Sequence, residues 1–258
     1  MSPVEAAAAL KCSRPRIGHI EKGRNVLSYA ELFKLLKHHY GADDATISAL
    51  EELREEGSKR GWWSSYGLPE RLAGIVGLEH DASSIRVLEL EMIPGLLQTE
   101  EYAATQYSLD DHWSAKDIQR RVAVRMQRQQ RLGGDDPVQL TCVVSEAALV
   151  RCARHQPVAA GQLAQLMDRA QWPNIEVRIL PFDVGLHVGS NGPFGLWSFP
   201  DNLLPDAAYQ EYAVGNDVID DQAAVSRLAR LFSKLRSQAL GTDESLALIA
   251  ELADKPTR

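Results

Sequence analysis

From Ser2 to Arg60 apolar residues recur every three or four positions in short runs broken by polar residues, the period of helices that bury one face. Ser2-Pro3-Val4-Glu5 has the capping-box pattern with proline at the first helical position, so a short helix is expected through Leu10. After a break at Lys11-Cys12-Ser13, a second helix is expected from about Arg14 to Lys22, with Ser13 as its N-cap, Ile17 and Ile20 facing inward and Gly23 as its stop. Ser28-Tyr29-Ala30-Glu31 is another capping box, opening a helix with Leu32, Leu35 and Leu36 on one side and Gly41 just past its end. Asp43 or Asp44 can cap a fourth helix, with Ile47, Leu50 and Leu53 at helical spacing and a tail from Arg54 to Arg60.

At Gly61-Trp62-Trp63 the pattern changes. Strand-like runs appear at Val87 to Met92, Val138 to Ser145, Ile175 to Pro181 and Phe194 to Phe199, with a further candidate at Ala208 to Tyr212. Helical periodicity covers Leu68 to Leu78, Ala82 to Arg86, and about 99–106, 115–132, 146–153, 158–171, 220–239 and 243–253. The order predicts an α+β fold: a small all-α module at 1–60, with the boundary near Ser58, then a larger mixed domain at 61–258.

A chain of 258 residues is long enough for one large domain or two ordinary ones, and 45% hydrophobic with 24% charged residues is a globular composition. Cys12, Cys142 and Cys152 lie in no C-x-x-C spacing, which argues against a disulfide framework and a closed zinc site. No export signal and no run of 18 apolar residues is present, so a cytoplasmic protein without membrane contact is expected. Charge changes the picture more than composition does. The net charge is −7, yet residues 1–41 carry seven Lys and Arg against three Glu, which leaves −11 for the remainder. A small basic module joined to a larger acidic one follows.

The basic module holds the candidate chemistry. A short helix, a tight turn and a second helix can present one helix end to a DNA major groove. Arg14 and Arg16 would occupy the first turn of the second helix and His19 the next, while Lys11 and Arg24 could hold phosphates. The same spacing also fits a hairpin with a purely structural role. Ile17-Gly18-His19-Ile20-Glu21-Lys22-Gly23-Arg24 resembles the I-S-x-I-E-x-G-x signature at the recognition helix of Cro-like, Xre-type helix-turn-helix regulators, with Gly18 replacing the usual serine. The resemblance implies that Arg14, Pro15 and His19 face bases and that Arg24 faces phosphate. It also implies an additional leading helix, rich in Arg and Leu, that does not precede Ser2 here. A module lacking that helix is expected to be marginally stable around Leu10, Ile17, Ile20 and Phe33; the true start would lie upstream, or the copy would be decayed or repurposed.

Arg60-Gly61-Trp62-Trp63, the run Ile93 to Ala103, Arg120-Arg121-Val122 with Arg125-Met126, and Val177 to Phe182 with Gly185 resemble the large uncharacterised domain that follows such a helix-turn-helix in many actinomycete regulators. That resemblance implies developmental or antibiotic-production control, often beside small partner proteins encoded next door. The expectation is thus a DNA-binding transcriptional regulator whose larger domain takes a partner or effector, with duplex DNA and a small protein as partners. Dimerisation is expected from the weak affinity of one small module. The alternative is an interaction module that has lost DNA binding and captures a small partner protein.

Other features read more plainly. Pro94-Gly95 through Thr99 fits a strand-to-helix corner better than a cleft, and Gly189 to Gly195 fits a hairpin loop better than a phosphate loop. The arginines of 115–132 fit a solvated face, with Ile118, Val122 and Met126 buried, better than a second nucleic-acid contact. The five tryptophans are expected in the core, and His38-His39 at a helix end on the surface. No nucleophile elbow, H-E-x-x-H or Walker pattern occurs, so neither an enzyme, a cofactor nor a metal is indicated.

Overall fold

The computed structural model describes all residues except 22–24, 59–60, 201–203, 213–214 and 255–258, and the backbone alone at 56–58, 70 and 71. It divides into two units, Met1–Trp62 and Trp63–Arg258.

In the first unit α1 (Pro3–Leu10) and α2 (Arg14–Glu21) are joined by a three-residue turn. The turn opens with Lys11 in the left-handed region at φ 53°, its N–H donating to the carbonyls of Ala7 and Ala8. Both capping boxes form: Ser2 with Glu5 at α1, and Ser28 with Glu31 at α3 (Tyr29–Phe33), which continues as a π-helix over Lys34–Tyr40. Asp43 accepts from the Thr46 N–H ahead of α4 (Asp44–Ser58). The core is thin. Among the described residues only Ala7, Ile17 and Ile47 are buried, so polar links take a larger share: Lys34 Nζ donates to the Ala9 carbonyl at 2.6 Å, and Arg16 grips Glu31.

The second unit is α+β. Its six-stranded sheet has the order β3-β2-β1-β4-β5-β6, from β1 (Ser84–Glu89), β2 (Gln139–Ser145), β3 (Ile175–Leu180), β4 (Phe194–Ser198), β5 (Ala207–Tyr212) and β6 (Gly215–Ile219). β1, β2 and β3 run parallel, so each link between them is a crossover carrying two helices: α6 (Glu100–Ser108) and α7 (Ala115–Gln129), then α8 (Glu146–Arg154) and α9 (Gln156–Arg169). β4, β5 and β6 add antiparallel. Alternation along the strands splits the core. Ile85, Leu140, Cys142, Val144, Val177 and Ile179 pack on one face with α5 (Glu70–Asp81), α8, α9 and α11 (Thr242–Asp254). Leu88, Val143, Leu180, Phe194 and Leu196 pack on the other, beneath Val225, Phe232 and Leu235 of α10 (Gln222–Gln238).

At the outer edge of β3, the Ile179 N–H donates to Ser245 Oγ at 3.0 Å and the Ile179 carbonyl accepts from the Leu240 N–H at 2.9 Å. Between β1 and α6 the chain turns a buried corner that includes a 3-10 turn, Gly95–Leu97, and Thr99 caps α6 by accepting from the Tyr102 N–H at 3.1 Å. Glutamines hold this corner. Gln162, wholly buried, donates to the Leu97 carbonyl and accepts from the Thr99 N–H, both at 2.8 Å. Gln129 donates to the Gly95 and Gln98 carbonyls, and Gln165 to those of Leu97 and Gln98.

Three expectations need correction, and one strand is additional to them. Ala82 to Arg86 is not helical: α5 ends at Asp81 and β1 begins at Ser84, where pairing with β2 and β4 overrides the helix-compatible Ala-Ser-Ser run. The Gly189 to Gly195 segment is not a hairpin loop, because β3 and β4 are not neighbours; the link passes the ends of β2 and β1. β6 was not expected from the pattern. Of the tryptophans only Trp197 is buried, while Trp113 and Trp172 lie half-buried under the guanidinium groups of Arg121 and Arg169.

Replacing Gln162 with Leu keeps the apolar packing but strips the Thr99 N–H of its partner. A loss of about 1–3 kcal/mol in urea-unfolding stability is expected, and no loss would mean that the corner re-pairs elsewhere.

Candidate functional site

On α2, Arg14, Pro15 and His19 are exposed, and Lys11 is exposed in the preceding turn. Ile17, at 4% exposure, faces inward with half-buried Ile20. The outward face therefore carries an arginine and a histidine about one turn apart, both hydrogen-bond donors when charged. Arg24, the expected phosphate contact, and Gly23 lie outside the described residues, as does Arg60.

Arg16 departs from the expected role. It turns back onto α3 and binds Glu31 through two bonds, at 2.6 and 3.1 Å. Glu31 is already the capping residue that accepts from the Ser28 N–H and hydroxyl, each at 2.9 Å. Arg16 first, then Ser28, hold the Glu31 carboxyl down at about 2. Arg16 thus links α2 to α3, and reading a base would require it to leave a charge-assisted pair.

In the second unit the basic helix α7 is not simply a solvated face. Val122 and Val124 are buried, Ile118 and Met126 only partly, and arginines project into the structure. Arg128 makes two 2.7 Å bonds to Glu79 of α5, with side-chain exposures of 18% and 6%. Burial opposes the Arg128 charge, but Glu79 outweighs it and raises the guanidinium above its ordinary range. Arg125 has only uncharged hydrogen-bond partners: Gln98 Oε1, Gln106 Oε1 at 3.0 Å and the Tyr107 hydroxyl at 2.6 Å. Its Nε has no partner among the described residues. Burial pushes its pKa down.

Glu89, at the end of β1 on the same sheet face as Ile85 and Val87, titrates against this cluster. Burial first and the charge of Glu211 second push its carboxyl up to about 8, with Arg125 acting in the opposite sense. Sequence reasoning missed Glu79, Glu89, Gln98 and Gln106. The available signals were the i, i+4, i+7 spacing of Arg121, Arg125 and Arg128, and a glutamate in step with the inward residues of a strand.

Among the described residues no group of three or more His, Cys, Asp and Glu is arranged to hold a metal ion. No described helix is long and apolar enough to cross a membrane.

Two outcomes follow from the ionic cluster. Glu79→Gln leaves Arg128 buried beside an uncharged amide and is expected to cost about 3–5 kcal/mol in denaturant unfolding. The folded state keeps the Glu89 proton up to about pH 8, whereas an unperturbed carboxyl loses it near 4.5, so stability falls as pH rises through that window. Glu89→Gln should remove that fall, on the order of a few kcal/mol; parallel pH curves for the two proteins would refute the assignment.

Residues 72–251 match the family described as domain of unknown function DUF5753. None of the curated proteins matches the chain.

Proposed function

The chain belongs to the DUF5753 family through residues 72–251, and from the two short helices that lie ahead of the matched span we propose that it is a DNA-binding transcriptional regulator. The observation that carries this reading is α2. It follows α1 after a three-residue turn, buries Ile17, and leaves Arg14, Pro15 and His19 on its outward face with Lys11 beside them. A helix entering a major groove can read guanine through Arg14, while Lys11 and the first turn of α2 meet phosphate. Arg16 serves here as a positioning residue that sets α2 against α3 through Glu31. Two such modules in a dimer would bind paired half-sites, and the family domain would carry the partner or effector contact.

The thin core of the first unit favours a second reading, in which that unit no longer binds DNA and the acidic larger domain captures a small protein.

Fluorescence anisotropy of the full chain against duplex DNA from its own upstream region, titrated across salt, separates the two. The DNA reading expects saturable binding with a steep salt slope. Arg14→Ala should weaken it by about tenfold, the effect of a lost bidentate base contact. Lys11→Ala should reduce the salt slope by about one and spare sequence preference. Binding no tighter than to random duplex would sink the reading.

A further inference from the structure

A cavity of about 650 Å³ opens in the second unit beyond the carboxyl ends of β1, β2 and β3, between α6 and α8. Its lining comes from all three strand exits: Met92 after β1, Ala147 at the start of α8 after β2, and Phe182 after β3. Ligands of open α/β sheets gather at that end of parallel strands, and the volume is that of a small-molecule site rather than a protein-docking face. Met92, Val150, Val158 and Ala147 make the body of the cavity apolar. Leu109 and Phe182, which also line it, are 77% and 59% exposed, a large apolar area left facing water.

Its polar groups are biased toward donors. Gln106 Oε1 accepts from both Gln98 Nε2 and Arg125 Nη1, each at 3.0 Å, which fixes the amide orientation and leaves Nε2, with two N–H donors, unspent among the described residues. The Tyr102 hydroxyl accepts from the Ile93 N–H at 3.3 Å, so its own proton is free to be donated. The opposite wall carries Arg151, Arg154 and His155 at the end of α8. The one acidic lining residue, Glu91, is paired with Arg151, and Arg154 has no ion-pair partner among the described residues. Apolar walls, unspent donors and a free cation describe one kind of occupant.

We propose that this cavity binds a small amphipathic carboxylate, its apolar body against Met92, Val150 and Val158 and its acid group met by Gln106, Tyr102 and Arg154. The half-buried Arg125 acts through Gln106 as a positioning residue. This site is independent of DNA binding, and its test contains no DNA.

The test is isothermal titration of the full chain with dodecanoate and with dodecyltrimethylammonium, an equally long cation, both below their micelle-forming concentrations. The expected result is one saturable site for dodecanoate, at least about tenfold tighter than the cation, since a charge-assisted bond is gained by one and lost by the other. Arg154→Gln should narrow that preference by about threefold or more, with the apolar contribution retained. Val150→Trp from the α8 wall and Thr105→Phe from the α6 wall fill the cavity, and each should weaken dodecanoate by about tenfold or more while the far-ultraviolet spectrum is unchanged. Absence of saturable dodecanoate binding, equal affinity for the two amphiphiles, or undiminished affinity in either folded variant would overturn the proposal.

Discussion

A buried backbone carbonyl or N–H without a partner costs on the order of 1–3 kcal/mol, and the corner between β1 and α6 carries several of them into the interior where there is no α-helix or strand ladder, only one 3-10 turn. The Gly95, Leu97 and Gln98 carbonyls and the Thr99 N–H are satisfied by side chains, from Gln129 on α7 and Gln162 and Gln165 on α9. That requirement draws two crossover helices onto one stretch of chain. Once α7 is held there, Arg125 reaches Gln98 and Gln106, and Arg128 reaches Glu79. The ionic cluster and the donor-rich wall of the cavity both follow from keeping this corner hydrogen-bonded.

The two units are stabilised by different means. The larger has a core on each sheet face, against which polar side chains are pinned. The smaller has three buried apolar residues among those described, and holds its helices with capping boxes, the Lys34 bond to α1 and the Arg16–Glu31 pair. Half-exposed pairs contribute little each and weaken with salt. Ionic strength therefore bears on the integrity of α2 as well as on any phosphate it meets.

What could be read in advance was local. Both capping boxes, the break at Lys11 to Ser13, the corner ending at Thr99 and most later helices are legible, because each rests on residues close together in the chain. What could not be read was tertiary. Glu31 is recognisable as a cap, but its use by Arg16, fifteen residues away, needs the folded chain. The face of α7 that turns inward was misjudged because long arginine stems bury as well as valine when a glutamate waits at the far end, and Glu79 lies in another helix. β6 escaped notice because Gly215-Asn216-Asp217 has poor strand propensity and is held by pairing with β5.

The capped position at Ile179 on the outer edge of β3 limits how this sheet can extend. Ser245 Oγ and the Leu240 N–H occupy the hydrogen-bonding positions of Ile179 that an incoming strand would need. The sheet therefore has an end capped at Ile179 and an end at β6, which among the described residues pairs with β5 alone. A strand arriving at β3 would meet a ladder already interrupted at Ile179, whereas the outer row of β6 faces no described strand, so the two ends of the sheet are not equivalent as templates for pairing.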